Sequence, residues 1–143
     1  MLLQIKEEFQ QVTGAETLAS IAHSILNCEH LFDQQKEHFV AVGLNTKNFV
    51  QYVDLVSLGT LDASLVHPRE CCRHAVEQGA SSIAFIHNHP SGDVTPSRED
   101  HTVTERLVSS GKVLGIEVLD HVIVGNGVEE YLALRDQYPG LWI

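Results

Sequence analysis

Two histidines one residue apart, in His87-Asn88-His89, follow the apolar run Ile83-Ala84-Phe85-Ile86 and precede Pro90. Alternate residues of a strand point the same way, so the two imidazoles would leave the end of a buried strand on one face. Pro90 biases His89 away from the helical region and keeps that extended geometry. Ser91-Gly92-Asp93 has the composition of a turn. Thr95-Pro96 then reads as an N-cap followed by proline at the first helical position, and Val103, Leu107 and Val108 mark the apolar face of the helix that follows. Asp100 lies three and seven residues before Val103 and Leu107, on that same inward face. An unpaired buried carboxylate is costly, and the partner on offer is a cation held by His87 and His89. Two histidines, one carboxylate and a water make a four-coordinate catalytic zinc site, which supplies hydroxide near neutral pH. Each part also has an ordinary reading. Ser97-x-x-Asp100 fits a capping box, and a His-x-His pair is common without a metal. Their convergence on one strand-turn-helix unit favours the metal.

Taken as one string, His87-x-His89-Pro90, six residues, then Ser97-x-x-Asp100 resembles the JAMM motif of the JAB/MPN metalloproteases. Gly59-Thr60-Leu61-Asp62, Val66-His67-Pro68-Arg69-Glu70, His87 to Asp93 and Leu119-Asp120-His121-Val122-Ile123-Val124 are similar to the signature blocks of the RadC branch, which carries a DNA-repair label. The resemblance covers residues 15 to 134, approximately. It implies an α/β domain of the JAB/MPN type, a central mixed β-sheet flanked by helices in a cytidine-deaminase-like architecture. It implies zinc-dependent hydrolysis of peptide or isopeptide bonds in a peptide or protein substrate, with Zn2+ on His87, His89 and Asp100. It further implies Glu37, just before the first core strand, as the catalytic base, and the Ser97 hydroxyl as a donor to the developing oxyanion. Glu70 is the rival base, although Pro68-Arg69-Glu70 reads as the first turn of a helix to about Gln78, where an acidic residue answers the helix dipole. Asn88 stands where deubiquitinating relatives usually have Ser or Thr, which separates the metal site from ubiquitin-type recognition. Complete RadC proteins also carry a helix-hairpin-helix region that this chain is too short to hold.

The elements that must position these residues are legible in order. Residues 1–12 have a weak amphipathic pattern and form an N-terminal extension, open to reading as an extra helix or a linker; 13–143 form the domain. Thr13-Gly14-Ala15-Glu16 is a capping-box pattern ahead of Leu18, Ile21, Ala22, Ile25 and Leu26, predicting a helix from Ala15 to Cys28. Residues 37–44 and 49–57 alternate as two strands of a hairpin about Asn45-Thr46-Lys47-Asn48. The face of Glu37 continues through Phe39 and then Ala41 and Gly43, small residues after the Phe that would leave space above the sheet. Gly111 is expected to end the site helix, and a central strand runs on through Val118, Val122 and Val124. Asp120 and His121 interrupt it: His121 reads as a core histidine or as a group supporting the metal ligands, with Asp120 as its partner. A last strand spans 131–134, and the tail with Tyr138, Leu141 and Trp142 would cover the sheet or a neighbouring subunit.

Composition bounds the function. Nineteen acidic residues against nine Lys and Arg give a net charge of −10, which opposes the electrostatic attraction behind most non-specific nucleic-acid binding. Direct nucleic-acid binding is therefore not supported. Cys28, Cys71 and Cys72 form no C-x-x-C pair, and a reducing, cytoplasmic setting fits them. No apolar stretch suits a membrane span. A homodimer is neither demanded nor forbidden. The literal string His87-Asn88-His89 is not the HNH nuclease motif, whose residues are dispersed, and the His/Cys-x-Glu and Pro-Cys-x-x-Cys segments of zinc deaminases are missing. The alternative to a metallopeptidase is a non-catalytic JAB-domain module acting in DNA repair or protein–protein interaction.

Overall fold

A computed structural model describes residues 1–4, 11–29, 31–62, 64 and 66–143. The hydrophobic alternation folds into a mixed six-stranded sheet of order β1-β3-β2-β4-β5-β6. Its strands are β1 (Leu2–Leu3), β2 (His38–Leu44), β3 (Val50–Leu58), β4 (Ser82–Asn88), β5 (Glu117–Val124) and β6 (Tyr131–Ala133). The hairpin β2–β3 is antiparallel, and β2 also runs antiparallel to β4. Strands β4 and β5 are parallel, so they need a crossover. That crossover carries the Ser97–Asp100 segment.

The helices are α1 (Ala15–Asn27), α2 (Leu31–Gln34), α3 (Pro68–Cys71), α4 (Arg73–Gln78), α5 (Arg98–Leu114) and α6 (Leu134–Gln137). Every residue of β2 and β4 is buried, because both faces of the sheet are covered. On one side Ile21 of α1 packs with Val40, Val42 and Ile86. On the other, Val103 and Leu107 of α5 pack with Phe39, Ala41 and Phe85. The period of two thus assigns neighbouring residues of one strand to opposite cores. Trp142 joins the α5-side core and its indole N–H donates to the Val118 carbonyl at 2.7 Å, drawing the tail onto the sheet. Cys71 and Cys72 are buried free thiols, and burial pushes Cys71 up to about 12. Among the described residues, no helix is long and apolar enough to cross a membrane.

Several local expectations change. Leu2–Leu3 is a strand paired with β3, not a helix, while residues 5–10 of the expected extension lie outside the described residues. The Thr13–Glu16 capping box does not form. Gly14 is the N-cap without a side-chain bond, and Thr13 Oγ1 instead meets Thr17 Oγ1 at 3.0 Å. The helix expected from Pro68 to Gln78 is divided at Cys72 into α3 and α4. Helix α5 is capped by Ser97, not Thr95, and continues past Gly111 to the left-handed Gly115, φ 75°. Gly111 serves packing: a Cβ there would lie 2.4 Å from the Ile116 carbonyl oxygen. Residue 134 begins α6 instead of ending the last strand.

The open lane expected above Ala41 and Gly43 is filled. Tyr52 faces Gly43 across the hairpin, and a Cβ on Gly43 would sit 1.9 Å from its ring. Phe39 and Phe85 stack beside it, with centroids 5.4 Å apart. Gly43→Ala is therefore expected to overpack the sheet, costing about 1–3 kcal/mol. Urea denaturation should show a lower midpoint with an unchanged slope, and Tyr52→Leu in the same chain should recover part of the loss.

Candidate metal centre

His87 is the penultimate residue of β4, in register with Phe39 of β2 and Ile123 of β5, and is 1% exposed. His89 lies just beyond the strand, its N–H donating to the Val124 carbonyl at 2.9 Å. Both rings reach the same carboxylate, at the first turn of α5. His87 Nδ1 is 3.1 Å from Asp100 Oδ1 and His89 Nε2 is 3.2 Å from Asp100 Oδ2. The two rings lie edge to face with centroids 4.9 Å apart.

Asp100 is held from behind by the capping box. Its Oδ2 accepts the Ser97 N–H at 2.7 Å, and its own N–H donates to Ser97 Oγ at 3.1 Å. Capping and histidine pairing, alternatives by sequence, coexist because a carboxylate has about four acceptor positions. The Ser97 side chain spends only a lone pair in this box, and its hydroxyl proton has no acceptor among the described residues.

On its other side, His87 Nε2 faces Glu37 Oε1 at 3.2 Å. Glu37 precedes β2 and is anchored through the Gly59–Leu61 turn. Its Oε2 accepts the Leu61 N–H at 3.1 Å and its carbonyl accepts the Gly59 N–H at 2.8 Å. Asn88, pointing to the opposite face from His87, locks the ends of β2 and β4 together. Its amide donates to the Lys36 carbonyl at 3.1 Å and its oxygen accepts the His38 N–H. Asn88 thereby ties the backbone on either side of Glu37 to the end of β4.

His121 is buried and fixed in one tautomer. The Thr104 hydroxyl donates its only proton to the Asp100 carbonyl at 2.6 Å, so His121 Nδ1, also 2.6 Å away, must donate to Thr104. Complete burial, aided by the nearby charge on His87, pushes His121 down to about 3. It braces the first turn of α5 as a neutral ring. Asp120 is not its ring partner: Asp120 Oδ1 accepts the backbone N–H groups of His121 and Arg135, at 2.8 and 3.1 Å. Asp120 touches none of Glu37, His87, His89 or Asp100. Glu70 is exposed, pairs with Arg69 and Arg73 at 4.0 and 3.9 Å, and does not meet the histidines. Leu61, Asn88 and Thr104 had no assigned role in the sequence; all three act through or upon backbone groups that no side-chain motif displays.

The donor set asks for a cation. His89 Nδ1 lies 2.8 Å from the Asp93 carbonyl oxygen, which can only accept, so that nitrogen carries a proton. A neutral His89 then turns the lone pair of Nε2 against Asp100. Neither nitrogen of His87 makes a hydrogen bond of good geometry, although each has a carboxylate oxygen within 3.2 Å. A neutral imidazole has a proton on one nitrogen only, so at least one lone pair there also faces an anion. A proton or a metal ion must relieve both contacts. Without metal the electrostatics choose the proton. Burial opposes charge on His87, but Asp100 and Glu37 outweigh it and raise its pKa; Asp100 raises that of His89. The close approach of the His87 ring lowers Glu37, and His87 and His89 overcome burial to hold Asp100 far below the carboxylate range. One ligand atom each from Glu37, His87 and His89 lie within 4.8 Å of one another, a group that could hold a metal ion. Asp100 approaches both rings as well, so Glu37 and Asp100 bracket His87.

Comparison with known proteins gives the family of the chain. The RadC-like JAB domain matches residues 16–139. A UPF0758 protein of Caldanaerobacter subterraneus is 47% identical over 127 residues, covering 89% of this chain and 52% of its own length. Others from Methanosarcina mazei and Geobacillus kaustophilus are 50% and 51% identical, covering 73% and 71% of this chain and 45% and 44% of their own. The chain spans about half the length of the curated relatives it matches. With the family pattern extending over nearly all of the sheet and every residue of the histidine–carboxylate cluster, the chain belongs to the RadC-like JAB domain family.

Proposed function

We propose that this domain is a zinc-dependent hydrolase of peptide or isopeptide bonds, with His87, His89 and Asp100 holding Zn2+ and Glu37 serving as base. The observation that carries the reading is the buried contact of histidine lone pairs with two carboxylates, which a dication satisfies. Asp100 suits a ligand because it is fully buried and immobilised by Ser97. Glu37 suits proton transfer because its side chain is 23% exposed and only one oxygen is tied to Leu61. When bound, zinc supplies Lewis acidity, lowering the pKa of water to about 7 and polarising a carbonyl. Glu37 takes the proton of the attacking water and passes it to the leaving amine. The free proton of Ser97 is available to the developing oxyanion. Direct nucleic-acid contact has no part in this reading, given the net charge of −10.

The test is metal analysis of purified protein by mass spectrometry, beside a His87→Ala/His89→Ala variant whose fold is checked by circular dichroism. About one zinc per wild-type chain is expected and none in the variant, followed by cleavage within a peptide library. A folded wild type that takes no zinc on reconstitution would overturn the reading and favour a non-catalytic binding module.

Zinc affinity should depend steeply on pH. Metal competes with protons for His87 and His89, whose pKa values are raised. The loss of affinity on acidification should therefore begin above pH 6.5, the ordinary histidine value being about that. In the metal-free protein the sign is opposite: the stabilisation from protonated His87 and His89 is full below about pH 6.5 and is lost as pH rises through their raised values. Asp100, with its depressed pKa, contributes above about pH 4 and loses that contribution on further acidification. Zinc titrations from acid to neutral pH, with proton release measured alongside, check both signs.

A further inference from the structure

The β5–β6 connection, from Gly125 to Glu130, contains Asn126-Gly127, the one place in the chain where glycine follows asparagine. In hairpins that pair usually answers a backbone need, the two-residue turn in which both residues take positive φ. Here the connection is longer, and neither Asn126 nor Gly127 has a positive φ. Turn geometry therefore does not account for the pair, and its chemistry comes forward.

A backbone amide nitrogen can attack the side-chain carbonyl of a preceding asparagine when both groups are unspent and no Cβ crowds the approach. Three neighbouring amides are engaged. Gly125 N–H donates to the Glu130 carbonyl at 2.7 Å, Asn126 N–H to Glu130 Oε2 at 3.3 Å, and Glu130 N–H to the Gly127 carbonyl at 3.0 Å. The Gly127 N–H and the Asn126 carboxamide make no hydrogen bond among the described residues. Asn126 is exposed and Gly127 partly so. Asn88, by contrast, is buried, has both side-chain polar atoms bonded and is followed by His89.

The same connection rests against the metal centre. Asn126 Nδ2 lies 2.6 Å from where a Cβ on Gly92 would stand, and a Cβ on Gly125 would be 2.8 Å from the Gly92 carbonyl oxygen. Gly92 belongs to the turn that leads from His89 to Asp93. Its N–H donates to the His89 carbonyl at 3.0 Å, and the carbonyl of the next residue, Asp93, accepts from His89 Nδ1.

We infer that Asn126-Gly127 is a site of spontaneous deamidation whose isoaspartyl product displaces the loop that orients His89. The Gly127 nitrogen bonds to Asn126 Cγ, the Cγ–Nδ2 bond breaks, and the Gly127 proton leaves with the ammonia. Water then opens the cyclic imide, giving aspartate or, with the main chain rerouted through Cβ and Cγ, isoaspartate. Isoaspartate lengthens the connection by one methylene and replaces a neutral carboxamide by a carboxylate, where the contacts with Gly92 are already close. Packed structure responds to a change of that size. The consequence for the metal rests on the zinc reading; the modification does not.

The whole chain is kept in warm, mildly alkaline buffer, and the peptide holding Asn126 is followed by mass spectrometry and by isoaspartyl methyltransferase labelling. It should gain the small mass of an amide-to-acid exchange. Gly127→Ala, whose Cβ would meet only the flexible Glu130 side chain, should react at least about 2- to 5-fold more slowly, the worth of glycine's extra backbone freedom. An unchanged Asn126, under conditions that deamidate the same segment as a free peptide, overturns the site, and so does Gly127→Ala reacting at the wild-type rate. Asn126→Asp supplies the charge without the methylene. In metal-free protein the aged chain should shift the NMR signals of the Gly92 amide and the His89 ring more than Asn126→Asp does. Its zinc affinity should fall about 10-fold, the low end of what groups that orient a ligand contribute. Equal shifts in the two, or unaltered zinc affinity in an aged chain that still loads zinc, overturn the coupling. Such shifts in a chain that binds no zinc even when fresh support the coupling and sink the metal reading.

Discussion

Asp100→Ala should abolish zinc loading and destabilise even the metal-free domain by about 3–5 kcal/mol, the usual result of removing one partner of a buried charged pair. The size follows from how much converges on one carboxylate. Oδ1 meets His87, Oδ2 meets His89 and accepts the Ser97 N–H, and the whole group has no exposed surface. Alanine would leave a buried and a half-buried ring without their counter-charge and the start of α5 without half its cap, a loss worth about 1 kcal/mol by itself. Asp100→Asn separates the two roles. The amide oxygen can still accept from Ser97, but the charge is gone and an NH2 group faces a histidine. That variant should keep most of the cap and still lose zinc. Urea denaturation in chelator, set beside zinc competition assays, gives both numbers for each variant. Wild-type zinc affinity in Asp100→Asn would mean that Asp100 is a helix cap and no ligand.

How much of this was legible beforehand depended on whether the signal was local. The strand-turn-helix unit was, because Pro90, the Ser91–Asp93 turn and the spacing of Asp100 to Val103 and Leu107 are all short-range. The choice of N-cap was not, since Thr95-Pro96 and Ser97-x-x-Asp100 compete within three residues. The second won because its two reciprocal bonds satisfy two donors. Gly111 looked like a stop signal, but its reason is the approach of the Ile116 carbonyl, a contact that exists only once the chain has turned back. Alternation placed Gly43 on the correct face of β2 without saying that Tyr52 would lie over it. Asn88 was noticeable only as an unusual residue; its partners are backbone atoms of residues 36 and 38, fifty or so positions away. The apolar positions around His23 account for α1 by themselves, so its burial with Nε2 unpartnered among the described residues is a fact of the folded chain alone. A polar residue inside a buried helical face carries information only when its partner is found to be missing.

Glu37→Gln should leave zinc content and fold unchanged while lowering kcat by about 10²–10⁴-fold, the usual contribution of a positioned acid–base group. Glutamine is nearly isosteric, and its oxygen can still accept the Leu61 N–H that anchors the wild-type side chain. What it cannot do is take a proton from water or return one to the leaving amine. The effect should therefore fall on kcat and kcat/KM together, with KM little altered. Glu37→Asp keeps the charge but draws it back by one methylene from the 3.2 Å approach to His87, and should retain intermediate activity. The opposing possibility is physical, because Glu37 shares with His87 and His89 the close grouping expected of metal ligands. If Glu37→Gln loses zinc along with activity, Glu37 is a ligand and the base must be sought elsewhere. If it keeps both zinc and the wild-type rate, Glu37 does neither job. Only retained zinc with lost turnover fits the division of labour in which buried Asp100 holds the metal and partly exposed Glu37 moves the proton.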